Sequence, residues 1–244
     1  MVSDWLKSRL RPDGDLTDVD LRHLNLSRMN LVGADFSSAN MAGMQLIQAN
    51  LTRANLGAYL AGAYLAGAQL TSANLSGADL LGARLRRTDL TDADLTGADV
   101  TGANVTGAVL KGANLSRSKL TAANLTGTDL SGANLTDTDL SGADLTGANL
   151  TGALLDGSVL TRTRLHACII NDTKLINLDL RAAILPNISS VSPSHVASET
   201  LFLTSGSDDP IAVGMPEPFF SFFVGCGVGQ ERMQRRVAPN IRRS

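Results

Sequence analysis

Ala98-Asp99-Val100-Thr101-Gly102 is followed at once by Ala103-Asn104-Val105-Thr106-Gly107, and the same five-residue grammar runs through most of the 244-residue chain. Large apolar residues stand at Leu16, Leu21, Leu26, Leu31, Phe36, Met41, Leu46, Leu51 and Leu56, then in steps of five from Leu60 to Leu185. These are 35 centres, all leucine except Phe36, Met41, Val100, Val105 and Ile170. A period of five excludes an α-helix, because each centre would lie about 140° round the cylinder from the last and no face would form. It excludes a flat one-sided strand too, since alternation would send successive centres to opposite faces. The chain must turn within every unit so that all centres reach a common axis.

Two residues before each centre lies a smaller one, which is Ala in 17 of the 26 units from Leu60 onward. Spacing by two puts it on the same inward side of a short extended segment. The two residues after the centre supply a corner: Thr or Ser often, then Gly in 14 of those 26 units. Gly, Asn and Asp tolerate the positive φ of tight turns. Strings such as Ala98-Asp99-Val100-Thr101-Gly102 and Ala133-Asn134-Leu135-Thr136-Asp137 resemble the pentapeptide-repeat family over roughly residues 14–187. That resemblance implies an all-β, right-handed quadrilateral β-helix with four pentapeptides per coil. The match would give about eight and a half coils, a rod of roughly 40 Å at ~4.8 Å per coil.

Three segments follow. Residues 1–13 read as a capping helix: Ser3 N-caps Asp4–Arg11, with Trp5, Leu6 and Leu10 toward the first coil and Pro12-Asp13-Gly14 turning into the repeats. Residues 14–187 are the solenoid. Its register slips by one at Leu56-Gly57-Ala58-Tyr59-Leu60, which predicts a kink or a shortened corner. Residues 188–244 are a Pro- and Phe-rich segment with a basic tail. Five of six phenylalanines and all three glutamates lie beyond Leu185, and Glu231–Ser244 carries five arginines. The position before each centre, normally Asn or Asp, becomes Leu154, Val159, Ile169 and Ile184 in the last coils. Phe219, Phe220, Phe222 and Phe223 are expected to cover those residues, within one chain or across a homodimer.

Composition bounds the function. Net charge is −2, so no global field recruits nucleic acid, and direct nucleic-acid binding is not expected. Two cysteines without CxxC spacing suggest neither zinc nor a disulfide framework, and a cytoplasmic setting is expected. No apolar run is long enough for a membrane span. The repeats contain no Glu, and His23, His166 and His195 are far apart; no triad, P-loop or dinucleotide fingerprint occurs, so neither enzyme activity nor a cofactor is expected.

With 20 residues per coil, one outward column reads Tyr59, Asp79, Asp99, Lys119, Asp139, Val159, Asp179, and a neighbouring column contains Asp89 and Asp129. Between Asp89 and Asp156 nine aspartates face three basic residues. Two readings follow: an interaction module for a protein partner of unknown identity, or an acidic flank. The resemblance to gyrase-protecting members of the family, the Qnr and MfpA types, implies the second: a rod that mimics DNA and occupies the DNA site of a type II topoisomerase such as DNA gyrase. Arg84, Arg86 and Arg87 interrupt that flank, and Lys119 divides the column.

Overall fold

Four pentapeptides make one turn of the chain. In the computed structural model, which describes residues 4–173 together with Leu178 and Ala183, Asp15 pairs in parallel with Asp35, Asp20 with Asn40, Asn25 with Gln45 and Asn30 with Asn50. The same pairing repeats upward to Asn149 with Ile169. The coil is right-handed and four-sided. We number its sides one to four by the outward lanes that begin at Asp15, Asp20, Asn25 and Asn30. Each side is bridged through one residue per coil, so the ladder runs across the coils and no long strand develops.

One unit shows why the sequence folds this way. In Ala93–Gly97, the Ala93 N–H donates to the Leu90 carbonyl across the corner (3.0 Å), Asp94 N–H to Ala73 in the coil below (2.9 Å), and Leu95 and Gly97 N–H to Asn114 and Ser116 in the coil above (2.7 and 2.9 Å). The fifth donor, Thr96 N–H, has no backbone acceptor; it bonds Oδ1 of Asp94 at 2.9 Å. The same side-chain cap closes corner after corner: Asp79 to Leu81, Asn104 to Thr106, Asp129 to Ser131, Asn134 to Thr136. Asp and Asn therefore precede the centre because each carries an acceptor oxygen that reaches the N–H two residues on. All five donors of the unit are satisfied, which burial demands.

Inside, the centres from Leu16 to Leu160 are buried, with Ala beside most of them. Each fully buried leucine contributes about 2 kcal/mol by removal from water. The small inward position is polar at Thr88, Ser118, Thr128 and Thr138 and then in every unit from Ser158 to Thr173. Ser158, Thr163 and Thr173 donate their hydroxyls to the carbonyls of Leu135, Leu140 and Leu150 at 2.7 Å, and the Cys168 thiol donates to Leu145 at 3.0 Å. At the other end that position is large, Val19, Leu24 and Met29, and these pack with Leu10 around the core end that buried Leu6 closes.

The helix α1 spans Asp4–Arg9, two residues shorter than expected. Leu10 N–H still reaches Leu6, but Arg11 precedes Pro12, a position biased away from helical backbone, and its N–H turns to Arg9. Gly14 occupies the inward position of the first unit, where a Cβ would collide with the Arg9 carbonyl, so only glycine lets the cap approach. The Arg9 guanidinium fixes the junction through the Asp15 carboxylate and carbonyl, both at 2.9 Å. Ser3 and the Trp5 side chain lie outside the described residues.

The slip is a shortened corner. Ordinary corners join a leucine carbonyl to the N–H three residues on; here Ala58 N–H reaches Leu56 at 2.6 Å, two residues on. Pairing continues across it, with Asn40 on Tyr59 and Asn55 on Asn74 in steps of 19, before Tyr59 on Asp79 restores 20.

Every other corner from Asp13 to Asp172 has a left-handed residue at its end, glycine or not. Ala122 (φ +55°) and Gly127 (φ +64°) end successive corners, and nothing lies within 4 Å of a Cβ built at Gly127. The two substitutions should therefore shift stability in opposite directions by backbone strain alone. In chemical denaturation Gly127→Ala is expected to destabilise by about 1 kcal/mol and Ala122→Gly to stabilise by up to about that amount; shifts of the same sign would refute the strain.

Candidate interaction surfaces

Steps of five go round the rod and steps of 20 go along it. Asp79, Asp99, Lys119 and Asp139 are successive bridge partners on side two, with Tyr59 below and Val159 above. Asp89, Val109 and Asp129 are bridged on side four. Two pentapeptides separate Asp79 from Asp89, so the column expected beside the first acidic lane is on the opposite side of the square. The five aspartates form no single surface. Lys119 sits between Asp99 and Asp139, and side two taken with its following corners carries four aspartates against Arg22, Lys119 and Arg162, a formal −1.

The strongest charges lie on the other pair of sides. Side one with its corners has Asp15, Asp18, Asp35, Asp94, Asp137 and Asp156 against Arg117, a formal −5. Side three, opposite, has Arg28, Arg84, Arg86, Arg87 and Arg164 against Asp144, a formal +4. In the sequence alone Arg84, Arg86 and Arg87 stand only as interruptions of an acidic flank. The corner rule itself points to Arg84, which with Tyr59, Tyr64 and Lys119 occupies the capping position without a capping oxygen, and Arg86 and Arg87 follow it in the same corner. Arg84 lies over the Tyr64 ring one coil below, 4.5 Å from its centroid.

The acidic residues are built into the corners. The Thr101 hydroxyl bond lowers the Asp99 carboxyl below its ordinary value despite burial, helped by Thr101 N–H. Burial acts to raise Asp139 and Asp89, but bonds from Ser141 and Thr121, and from Thr91 and Thr71, outweigh it and leave both lowered. Asp144 is lowered first by Thr146, with Arg164 at 3.6 Å adding to it.

The apolar residues expected to receive a cover are also distributed. Leu154, Val159 and Ile169 belong to one coil, on sides one, two and four, so Val159 and Ile169 face opposite ways. They form a belt; Val159 and Ile169 are about half exposed. Ile184, Phe219, Phe220, Phe222 and Phe223 lie outside the described residues.

Among the described residues no group of three metal-binding side chains converges. Burial pushes the Cys168 thiol up to about 11, which keeps it protonated at neutral pH.

The family profile described as pentapeptide repeats matches residues 15–56, 57–92, 78–112, 88–127, 113–152 and 148–187. Among solved structures, the chain is similar to HetL, a pentapeptide repeat protein involved in heterocyst differentiation regulation from the cyanobacterium Nostoc sp. strain PCC 7120. Identity is 30% over 71% of this chain and 90% of that one, with TM-score 0.48. QnrB1, a plasmid-mediated fluoroquinolone resistance protein, matches at 20% identity over 70% and 87%, with TM-score 0.41. A protein of the Arabidopsis thaliana thylakoid lumen matches at 29% over 48% and 81%, with TM-score 0.37. No curated protein sequence matches.

A carboxyl depressed by folding stabilises above its unfolded pKa of about 3.9, and that contribution is lost as pH falls through the lower folded value. Thermal stability should therefore drop below about pH 4. D99N/D139N keeps both capping oxygens and removes two such carboxyls; its melting temperature is expected to match the parent at pH 7 and to fall less between pH 5 and 3. An unchanged acid slope would place the pH dependence elsewhere.

Proposed function

Because the chain belongs to the pentapeptide-repeat family, we propose that it is a non-enzymatic protein-interaction module, a rod whose sides display side chains to a protein partner. The family is generally non-enzymatic. One observation carries the reading: where an outward Asp or Asn gives way to Tyr59, Tyr64, Arg84 or Lys119, the corner forfeits a hydrogen bond of about 1 kcal/mol, and the replacement faces outward. Tyr59 is 59% exposed. A residue that weakens its own corner and points away from the core is selected for what it meets outside.

A second reading, mimicry of DNA toward a type II topoisomerase such as gyrase, draws on Asp79, Asp99 and Asp139 sharing side two at coil spacing. Lys119 within that lane, and the near balance of the side, favour the first. Two measurements separate them. A photo-crosslinking residue at Tyr59 should give a discrete protein adduct in cells that the same residue at Ser76, on side one, does not. Identical backgrounds at both sites would remove the support for a displayed side. Micromolar protein is expected to leave gyrase supercoiling and its quinolone sensitivity unchanged; inhibition or protection that D79K/D99K/D139K abolishes would establish the mimic instead.

A further inference from the structure

Side three concentrates positive charge at one level. Arg84, Arg86 and Arg87 belong to a single pentapeptide, all three exposed, and among the described residues none reaches a carboxylate within 4 Å. Like charges this close repel one another. Arg87 also holds a left-handed backbone (φ +56°), while Gly67 and Gly107, below and above it on the same corner, meet the same requirement without a side chain. The Arg87 stem rests 3.8 Å from where a Cβ of Gly107 would stand, so the glycine above leaves room for it. The Arg84 guanidinium carbon stands over the Tyr64 ring, 4.5 Å from its centroid, a cation–π contact that holds the arginine in place. The rest of this side near the cluster is neutral: Gln45, Gln48, Asn104 and Thr106.

We propose that Arg84, Arg86 and Arg87, with Tyr64 as the platform for Arg84, form a docking site for an acidic segment of a protein partner, two or three carboxylates within one short stretch. This rests on the reading of the rod as an interaction module. Guanidinium forks match carboxylates bidentately, and three of them span roughly the width of one side, about 7–10 Å. The flanks choose the partner class. Asp79 on side two and Asp89 and Asp92 on side four stand in the same coil as the arginines. A nucleic-acid duplex, with a charge every ~1.7 Å of its axis, would overlap and be repelled by them, whereas a short acidic segment stays on one side.

Fluorescence anisotropy of a labelled hexaglutamate peptide with the full chain tests this, at about 50 mM salt to limit screening. The parent is expected to bind, more weakly as salt rises. R84Q/R86Q/R87Q should lose at least about tenfold in affinity, and Tyr64→Ala a smaller factor. R53Q/R117Q/R162Q removes the same charge from corners of the other three sides and should stay within about twofold. Circular dichroism melts confirm that each variant is folded. No binding by the parent, or equal loss in both triple variants, overturns the site. Tighter binding of a labelled 20-base-pair duplex through the same arginines overturns the partner class. Each of these leaves the crosslinking test at Tyr59 intact, and failure of that test with peptide binding retained would instead sink the broader module reading.

Discussion

The structure depends on the hydrogen bond by which an outward Asp or Asn closes its own corner. Four of the five N–H groups in a unit such as Ala93–Gly97 find backbone carbonyls, in the corner, the coil below or the coil above. The fifth would be orphaned at every turn of the chain. An acceptor two residues earlier removes that deficit without help from any other coil. The corner becomes a local property of five residues, and the leucines need supply only apolar contact along the axis.

This locality explains what could be read in advance. The period of five, the inward pair and the corner each reside within one unit, so a chain that turns in every unit and gathers its centres on one axis was legible from 98–107 and its neighbours; four units per coil came from the family resemblance, because no single unit carries that number. Leu56–Leu60 showed a lost residue, yet whether the rod bends or the corner contracts depends on coils above and below, and the contraction came from Ala58 bonding back to Leu56. Which lanes are neighbours depends on counting sides. Asp79 and Asp89 look close in sequence, and ten residues is half a coil, which puts them back to back. The N-terminal helix was legible through Leu6, but its end was set by Pro12 and by the close approach of Arg9 to Gly14.

The two ends of the described coil solve different problems. At the start, Val19, Leu24 and Met29 replace alanine and thicken the core where α1 closes it. At the far end, Ser158, Thr163, Cys168 and Thr173 turn the inward position polar, and each donates to a leucine carbonyl of the preceding coil. The Leu140 and Leu145 carbonyls already accept the corner N–H groups of Ala143 and Ala148, so the added donors use second lone pairs. These bonds tie one coil to the next with side chains as well as backbone.

The corner bond also governs how charge should be weighed. Asp and Asn serve it equally: Asp94 and Asn114 are bridge partners on one side and cap Thr96 and Ser116 alike. An aspartate in a lane is then weak grounds for an acidic function, because the fold asks for its oxygen and is indifferent to its charge. A lane residue that lacks the oxygen has the opposite standing. The fold gains nothing at the corner from Arg84, and its stacking on Tyr64 joins two adjacent coils through two such exceptions on the one side whose net charge is positive. In a solenoid whose rule is this simple, the departures from the rule are the residues that the fold itself does not account for.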